Sequence, residues 1–286
     1  MPRYYPKKST QTESRYEFTT SENKFLLTVR ESNESNSIMI YIGGIDTYCL
    51  ECQLFKDSMI ANLPKIMYDE KCSLTGRFER GTDIMRIMSL LITYIQDTYP
   101  HVTAITFDDF STRECEHGIH IDLAPFYYVF HNETWYMNRM NAYIYDSSEN
   151  DLFKSKTAQF HATKAGLRWE EFDAYVTTKH PLPLSQMIEI YNGSKSWLDF
   201  FNSLKSALKN DMKILCNYMY PWITLFIQRL ANLRFTSIQF AIPVKNSKIS
   251  RVEYTVIPYI SPSISSSGIG KQTRKQYKRR KAVDLR

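Results

Sequence analysis

Read from the amino end, the apolar and polar positions first mark out strands. Phe25-Leu-Leu-Thr-Val29 and Ser37-Ile-Met-Ile-Tyr-Ile42 are dense in β-formers, and Ser32-Asn-Glu-Ser-Asn36 between them has the composition of a turn. Gly43-Gly44 stops the second run, and Thr47 to Phe55 predicts a third strand. The period then changes. Ile84, Ile87, Met88, Leu91, Ile92 and Ile95 recur at helical spacing, which predicts a helix over Asp83–Tyr99, N-capped by Thr82 or Asp83 and ended by Pro100. Val102-Thr-Ala-Ile-Thr-Phe107 reads as a buried strand closed by Asp108-Asp109, and Leu123–Met140 as a second helix.

Further on, residues 150–195 mix short apolar pieces with Pro and Gly and show no single period. Ser196–Tyr220 predicts one long helix, with Trp197, Phe200, Phe201, Leu204, Leu208, Met212 and Leu215 on one face. Pro221 opens or kinks the next helix, which runs to about Leu233. Phe235–Val244 and Ser250–Ile260 read as a hairpin around Lys245-Asn246-Ser247. Strands alternating with helices in this order predict an α/β (α+β) class. The chain then divides into a polar, disordered N-terminus over 1–15, an α/β domain over 16–150, a helical and β-hairpin region over 151–260, and a linker with tail over 261–286.

Charge sharpens the last boundary. The net charge is +6, yet Lys271, Arg274, Lys275, Lys278, Arg279, Arg280, Lys281 and Arg286 face only Asp284, so this stretch alone carries +7 and the rest sums to −1. Self-repelling charge without apolar residues does not fold, and Ser261–Gly270 before it has linker composition. Basic residues interleaved with Gln276 and Tyr277 suit a polyanion, either nucleic acid or an acidic protein, bound without sequence preference. The apolar fraction of 43% and aromatic fraction of 14% suffice for a packed core. The first residues lack the apolar core of a secretory signal, and Tyr218–Ile227, the longest apolar stretch, contains Pro221, so no membrane span is expected. Five cysteines, an odd number without framework spacing, suit a reducing, intracellular compartment.

Three groups of residues carry candidate chemistry. Phe78-Glu-Arg-Gly-Thr-Asp-Ile-Met85 brings a glycine turn into a helix start, where exposed backbone N–H groups and the helix dipole favour an anion. Cys49, Cys52, Cys115, His117 and His120 have zinc-ligand chemistry, but the two groups lie far apart and a CxxC on a strand points its thiols to opposite faces, so no metal is expected. Asp108 and Asp109 end a strand, where one at most faces a cleft; strand-end capping is the favoured role. No nucleophile elbow, Walker loop or His-Glu-x-x-His motif is present, so nothing supports hydrolysis by those routes.

The first of these, taken with the aromatic segment around Tyr136, forms a recognisable order. Arg80-Gly81-Thr82, the Asp83–Tyr99 helix, the Val102–Phe107 strand and Thr134-Trp135-Tyr136 resemble the acyl-CoA-binding half of the GNAT acyltransferase superfamily over residues 60–145. Cys72-Ser73, Glu79-Arg80-Gly81 and Phe107-Asp-Asp-Phe-Ser111 also look like parts of uncharacterised proteins of large DNA viruses. The resemblance implies a GNAT-like mixed sheet flanked by helices, with acetyl-CoA as cofactor. It implies that Arg80, Gly81, Thr82 and Asp83 hold the pyrophosphate, and that Tyr136 protonates the departing thiolate. Thr82 and Asp83 replace the second glycine usual in that loop, and Asp83 sets a carboxylate beside the expected phosphate. The function implied is N-acyl transfer, active or decayed. The alternative is a non-enzymatic viral structural or packaging protein whose basic arm contacts nucleic acid or an acidic partner.

Overall fold

The computed structural model describes residues 11–20, 23–67, 69–74, 82–115, 118–176, 179–223, 225, 227, 233, 235 and 238–260. The first ten residues of the disordered start expected over 1–15, and the basic tail, lie outside them. Among the described residues the fold is mixed α/β, built on one large sheet. Five strands come first: β1 (Gln11–Thr19), β2 (Lys24–Ser32), β3 (Ser37–Gly43), β4 (Tyr48–Phe55) and β5 (Ile60–Ile66). They form a continuous antiparallel meander. A helix, α1 (Thr82–Thr98), then leads to β6 (Ala104–Asp108), which pairs with β5 in parallel. Two short strands, β7 (Thr112–Glu114) and β8 (His120–Asp122), form a separate ribbon.

The three early strands read from the sequence, at β2, β3 and β4, the α1 helix and β6 agree with the pattern of the sequence within a few residues, whereas β5 was not marked out. The aliphatic face of α1, including Ile87, Met88, Leu91, Ile92 and Ile95, is wholly enclosed against the sheet. Strand β1 begins at Gln11, earlier than a disordered start over 1–15 allows.

Three helix and strand expectations need correction. The helix expected over Leu123–Met140 is two helices, α2 (Leu123–His131) and α3 (Trp135–Met140). Asn132 ends the first in the left-handed region, and Thr134 caps the second by accepting from the Met137 N–H. Strand β9 (Tyr143–Ile144) follows. The stretch without a clear period contains α4 (Ser147–Gly166), α5 (Trp169–Asp173) and α6 (Leu184–Gly193). The long helix expected over Ser196–Tyr220 breaks into α7 (Trp197–Ala207) and α8 (Met212–Trp222). The cause is local: Lys209 and Asn210 both take positive φ, and Asp211 then caps α8 by accepting from the Lys213 and Ile214 N–H groups. Pro221 lies inside α8, one residue from its end, and most of the helix expected to run on to about Leu233 lies outside the described residues.

The expected C-terminal hairpin does not form. Strand β10 (Gln239–Pro243) pairs with β6 and β9, whereas β11 (Thr255–Pro258) pairs with β1. The sheet order is β11-β1-β2-β3-β4-β5-β6-β10-β9, which places the two strands in different parts of one sheet. The apolar runs were legible, but their partners were set by the sheet and not by the turn between them. Cysteine pairing was equally hidden. Cys49–Cys72 and Cys115–Cys216 are disulfides whose members lie 23 and 101 residues apart in sequence, and Cys52 is buried and unpaired. No helix among the described residues is long and apolar enough to cross a membrane.

Candidate functional site

The site begins at the one place where two neighbouring strands of the described sheet run parallel. Strands β5 and β6 pair from Ile60 opposite Ala104 to Asn62 opposite Thr106, and there the pairing stops. Both strands continue. Strand β5 stays bonded to β4 through Lys65 and Ile66, while β6 stays bonded to β10 through Phe107 and Asp108. Each strand thus follows its other neighbour, and a gap opens between them.

A bulge in β5 coincides with the parting. Asn62 and Lys65 of β5 oppose Gln53 and Glu51 of β4, so β5 carries one residue more than its partner across this interval. Pro64 lies in that interval, and a bulge is one of the few strand positions where a residue without an N–H is tolerated. An extra residue also adds local twist, which helps turn β5 away from β6.

The gap is a cleft of about 220 Å³. One wall comes from Leu63 to Ile66 and the other from Phe107 to Ser111, with Tyr136 of α3 completing it. Tyr136 is only 9% exposed; its ring packs 4.6 Å from Phe107 and 5.0 Å from Trp135, centroid to centroid. Its hydroxyl makes no hydrogen bond to any described residue. Burial pushes the phenol's pKa well above the ordinary tyrosine range, and the Asp109 carboxylate adds to the effect.

Asp109 is 7% exposed, whereas its neighbour Asp108 is exposed, as alternation along a strand requires. Burial raises the pKa of Asp109; hydrogen bonds from the Ser111 N–H at 2.9 Å and the Ser111 hydroxyl at 2.5 Å oppose that rise. Asp109 therefore does cap the strand end, but it does so from inside the cleft. Lys65, the cation of the cleft wall, stands 3.1 Å from the Glu51 carboxylate. Phe110 is 76% exposed on the rim.

Helix α1 is oriented by its far end. The Thr103 N–H, a few residues beyond α1, donates to the Met59 carbonyl at the start of β5. The helix therefore runs back along the sheet, and its first turn lies toward the end at which β5 and β6 part. Arg80 and Gly81 lie outside the described residues, and Thr82 is the first residue of α1. Asp83 is 1% exposed and paired at 2.6 Å with Arg86 one turn on. Its charge is thus met within the helix, which removes the repulsion that its position in the sequence suggested.

The segment ahead of the glycine turn is pinned. Cys72 is bonded to Cys49 of β4, and the Leu74 N–H and Ser73 hydroxyl both donate to the Lys24 carbonyl. Gly44 lets this segment approach, because a Cβ there would lie 1.9 Å from the Lys71 carbonyl oxygen.

The structure brings Tyr136 and Asp109 to one cleft and leaves the tail residues, Lys271 to Lys281, outside what is described. Cys49 and Cys115, two of the zinc candidates, sit in separate disulfides, and His120 is exposed. Pro64, Phe110 and Ser111 were not singled out as site residues. Only an exposed aromatic directly after two acids marked the last two, and that pattern is common at strand ends. No protein-family model, curated protein or solved structure matches the chain.

Proposed function

We propose that the protein is a GNAT-like N-acyltransferase that uses acyl-CoA. The observation that carries this reading is the parting of β5 and β6: a single parallel pair in an otherwise antiparallel sheet, opened by a bulge, with a tyrosine in the gap. The order of strand, helix N-terminus, parted strand and tyrosine is that of the superfamily the sequence resembles.

The residues fit an acyl thioester in three respects. Main-chain groups of Leu63 to Ile66 that face the gap lack partners from β6, which leaves room for a ligand to complete the edge. The first turn of α1, whose N–H groups have no acceptor within the helix, lies toward the same end and suits a pyrophosphate. Tyr136 holds its proton through the neutral range and faces the cleft without a competing partner. Acyl-CoA, when bound, supplies an acyl group activated as a thioester. Asp109 supplies a carboxylate that takes the proton released when an ammonium becomes a free amine, and Tyr136 supplies a proton for a leaving thiolate. Arg80 and Gly81 are assigned to the pyrophosphate on the sequence resemblance alone.

Calorimetric titration of the full chain with acetyl-CoA tests the reading. Saturable heat in the micromolar range is expected; no heat at millimolar ligand would reject it.

The basic arm supports a second role that the cleft does not address. Its charge of +7 against a near-neutral remainder suits binding to nucleic acid or to an acidic protein of a virion. Deleting residues 268–286 should remove the salt-dependent part of DNA binding. An unchanged salt slope would reject that role and leave the acyltransferase reading untouched.

A further inference from the structure

The cleft's charge points to what it accepts. Asp108 and Asp109 both line it, and neither makes an ion pair with a described residue. The cation on the wall, Lys65, is engaged by Glu51 at 3.1 Å, so that pair adds no net charge. Among the described residues the balance on the cleft side chains is negative, and the hydrogen bonds to the more enclosed carboxylate come from Ser111, a neutral partner. A buried carboxylate lacking a cation is costly, and a ligand cation offsets that cost. Tyr136, nine-tenths buried as a residue, lines the cleft, and its hydroxyl, without a described partner, offers an acceptor oxygen to such a cation.

The rim adds a second demand. Phe110 stands 76% exposed beside the two acids, a large apolar side chain left in water at the mouth of a polar cleft. A ligand that covers it gains from the area removed from water. A carboxylate on the ligand would meet Asp108 and Asp109 with like charge and be disfavoured.

We propose that the cleft between β5 and β6 is a specificity site for a primary amine that carries an aromatic or bulky aliphatic substituent and no carboxylate. The ammonium sits between Asp109 and the Tyr136 hydroxyl, and the substituent lies against Phe110. As the acceptor site of the transfer proposed above, the inference rests on that reading. As an amine-binding site, it stands on the cleft alone.

The test uses the full chain at neutral pH with three probes, 2-phenylethylamine, ethylamine and phenylalanine, titrated calorimetrically, and acetyl-CoA titrated separately. 2-Phenylethylamine is expected to bind at least roughly tenfold more tightly than either other probe. Phe110→Ala, at an exposed position where folding is not at stake, should erase its advantage over ethylamine. Asp109→Asn should weaken both simple amines about tenfold or more. Equal binding of ethylamine and 2-phenylethylamine, tight binding of phenylalanine, or an unaltered Phe110→Ala ranking would overturn the inference. If acetyl-CoA gives no heat while the amine ranking holds, the acyltransferase reading fails and the amine site stands. If acetyl-CoA binds and the ranking is absent, only the amine inference fails.

Discussion

The helical region and the β5–β6 cleft both bury aromatic rings beside polar groups, and they use them in opposite ways. Between α4 and α8, Phe160, Phe172, Trp197, Phe200, Phe201 and Trp222 are all fully enclosed and touch one another in stacked, edge-to-face or tilted pairs. Three polar side chains of this region have their hydrogen bonds made. The Trp197 indole N–H donates to the Phe160 carbonyl at 3.1 Å, and the Tyr191 hydroxyl donates to the Leu167 carbonyl at 2.9 Å. Lys164 is also enclosed, but its ammonium donates to the Tyr191 carbonyl in the last turn of α6 and lies 3.9 Å from the Tyr191 ring centroid. In the cleft, by contrast, Tyr136 and Asp109 are nearly as enclosed, yet they face open space, and the tyrosine hydroxyl has no described partner. Burial alone does not separate a structural polar group from a working one. What distinguishes Tyr136 and Asp109 from the enclosed polar groups of the helical region is that they line a void.

Substitutions on the two sides should therefore fail differently. Trp197→Ala should cost about 3–5 kcal/mol, seen as a large drop in the urea midpoint, because it removes a fully enclosed ring and its hydrogen bond. A smaller loss would mean that the helical region repacks and is less rigid than its ring contacts suggest. Cys216→Ser should cost about 2–5 kcal/mol, since Cys115–Cys216 closes a loop between residues 101 apart. At least that loss should appear in wild type treated with dithiothreitol, which reduces Cys49–Cys72 as well, and a midpoint indifferent to both would show that the pair does not cross-link the folded chain.

Tyr136→Phe sharpens the contrast from the other side. The ring and its contacts with Phe107 and Trp135 remain, and the hydroxyl has no described partner to lose. Stability should shift by less than about 0.5 kcal/mol while acyl-transfer rate falls roughly 10²-fold. Destabilisation as large as that of Trp197→Ala would make Tyr136 an ordinary core residue.

The smallest effect is one of pH. Burial raises the pKa of Asp109 in the folded protein above its unfolded value, near ~3.9. Its contribution to stability is full below the unfolded value and declines as pH rises through the folded one. Asp109→Asn keeps an acceptor for Ser111 and removes the charge, so the variant should gain on wild type between pH 3 and pH 7. Parallel stability curves across that range would mean the carboxylate is not burdened by burial.

Much of this organisation can be read in the chain, and the boundary is physical. The period of Ile84 to Ile95 and the β-formers around Leu27 and Ile40 specify elements that bury one strong face, so α1 and the first strands were legible. Breaks made by single residues in unusual backbone conformations were not, because Lys209 and Asn210 give weak signals inside a continuous apolar helical period and Asn132 beside an aromatic run. Strand partners were also hidden: β10 and β11 read as neighbours in sequence and sit far apart in the sheet. Of the site, Tyr136 was found through an ordered resemblance. Asp109 was seen and read as a strand-end cap, because sequence shows that it ends a strand but not that β5 bends away at Pro64 to leave it facing a cleft.

Hydrogen exchange with and without acetyl-CoA measures most directly whether the parted strands are the binding place. Added protection is expected in Leu63–Ile66, in Phe107–Ser111 and in the first turn of α1, with α4 to α8 unchanged. Protection confined to the helical region, or none at saturating ligand, would contradict the claim that the gap between β5 and β6 is an acyl-CoA cleft.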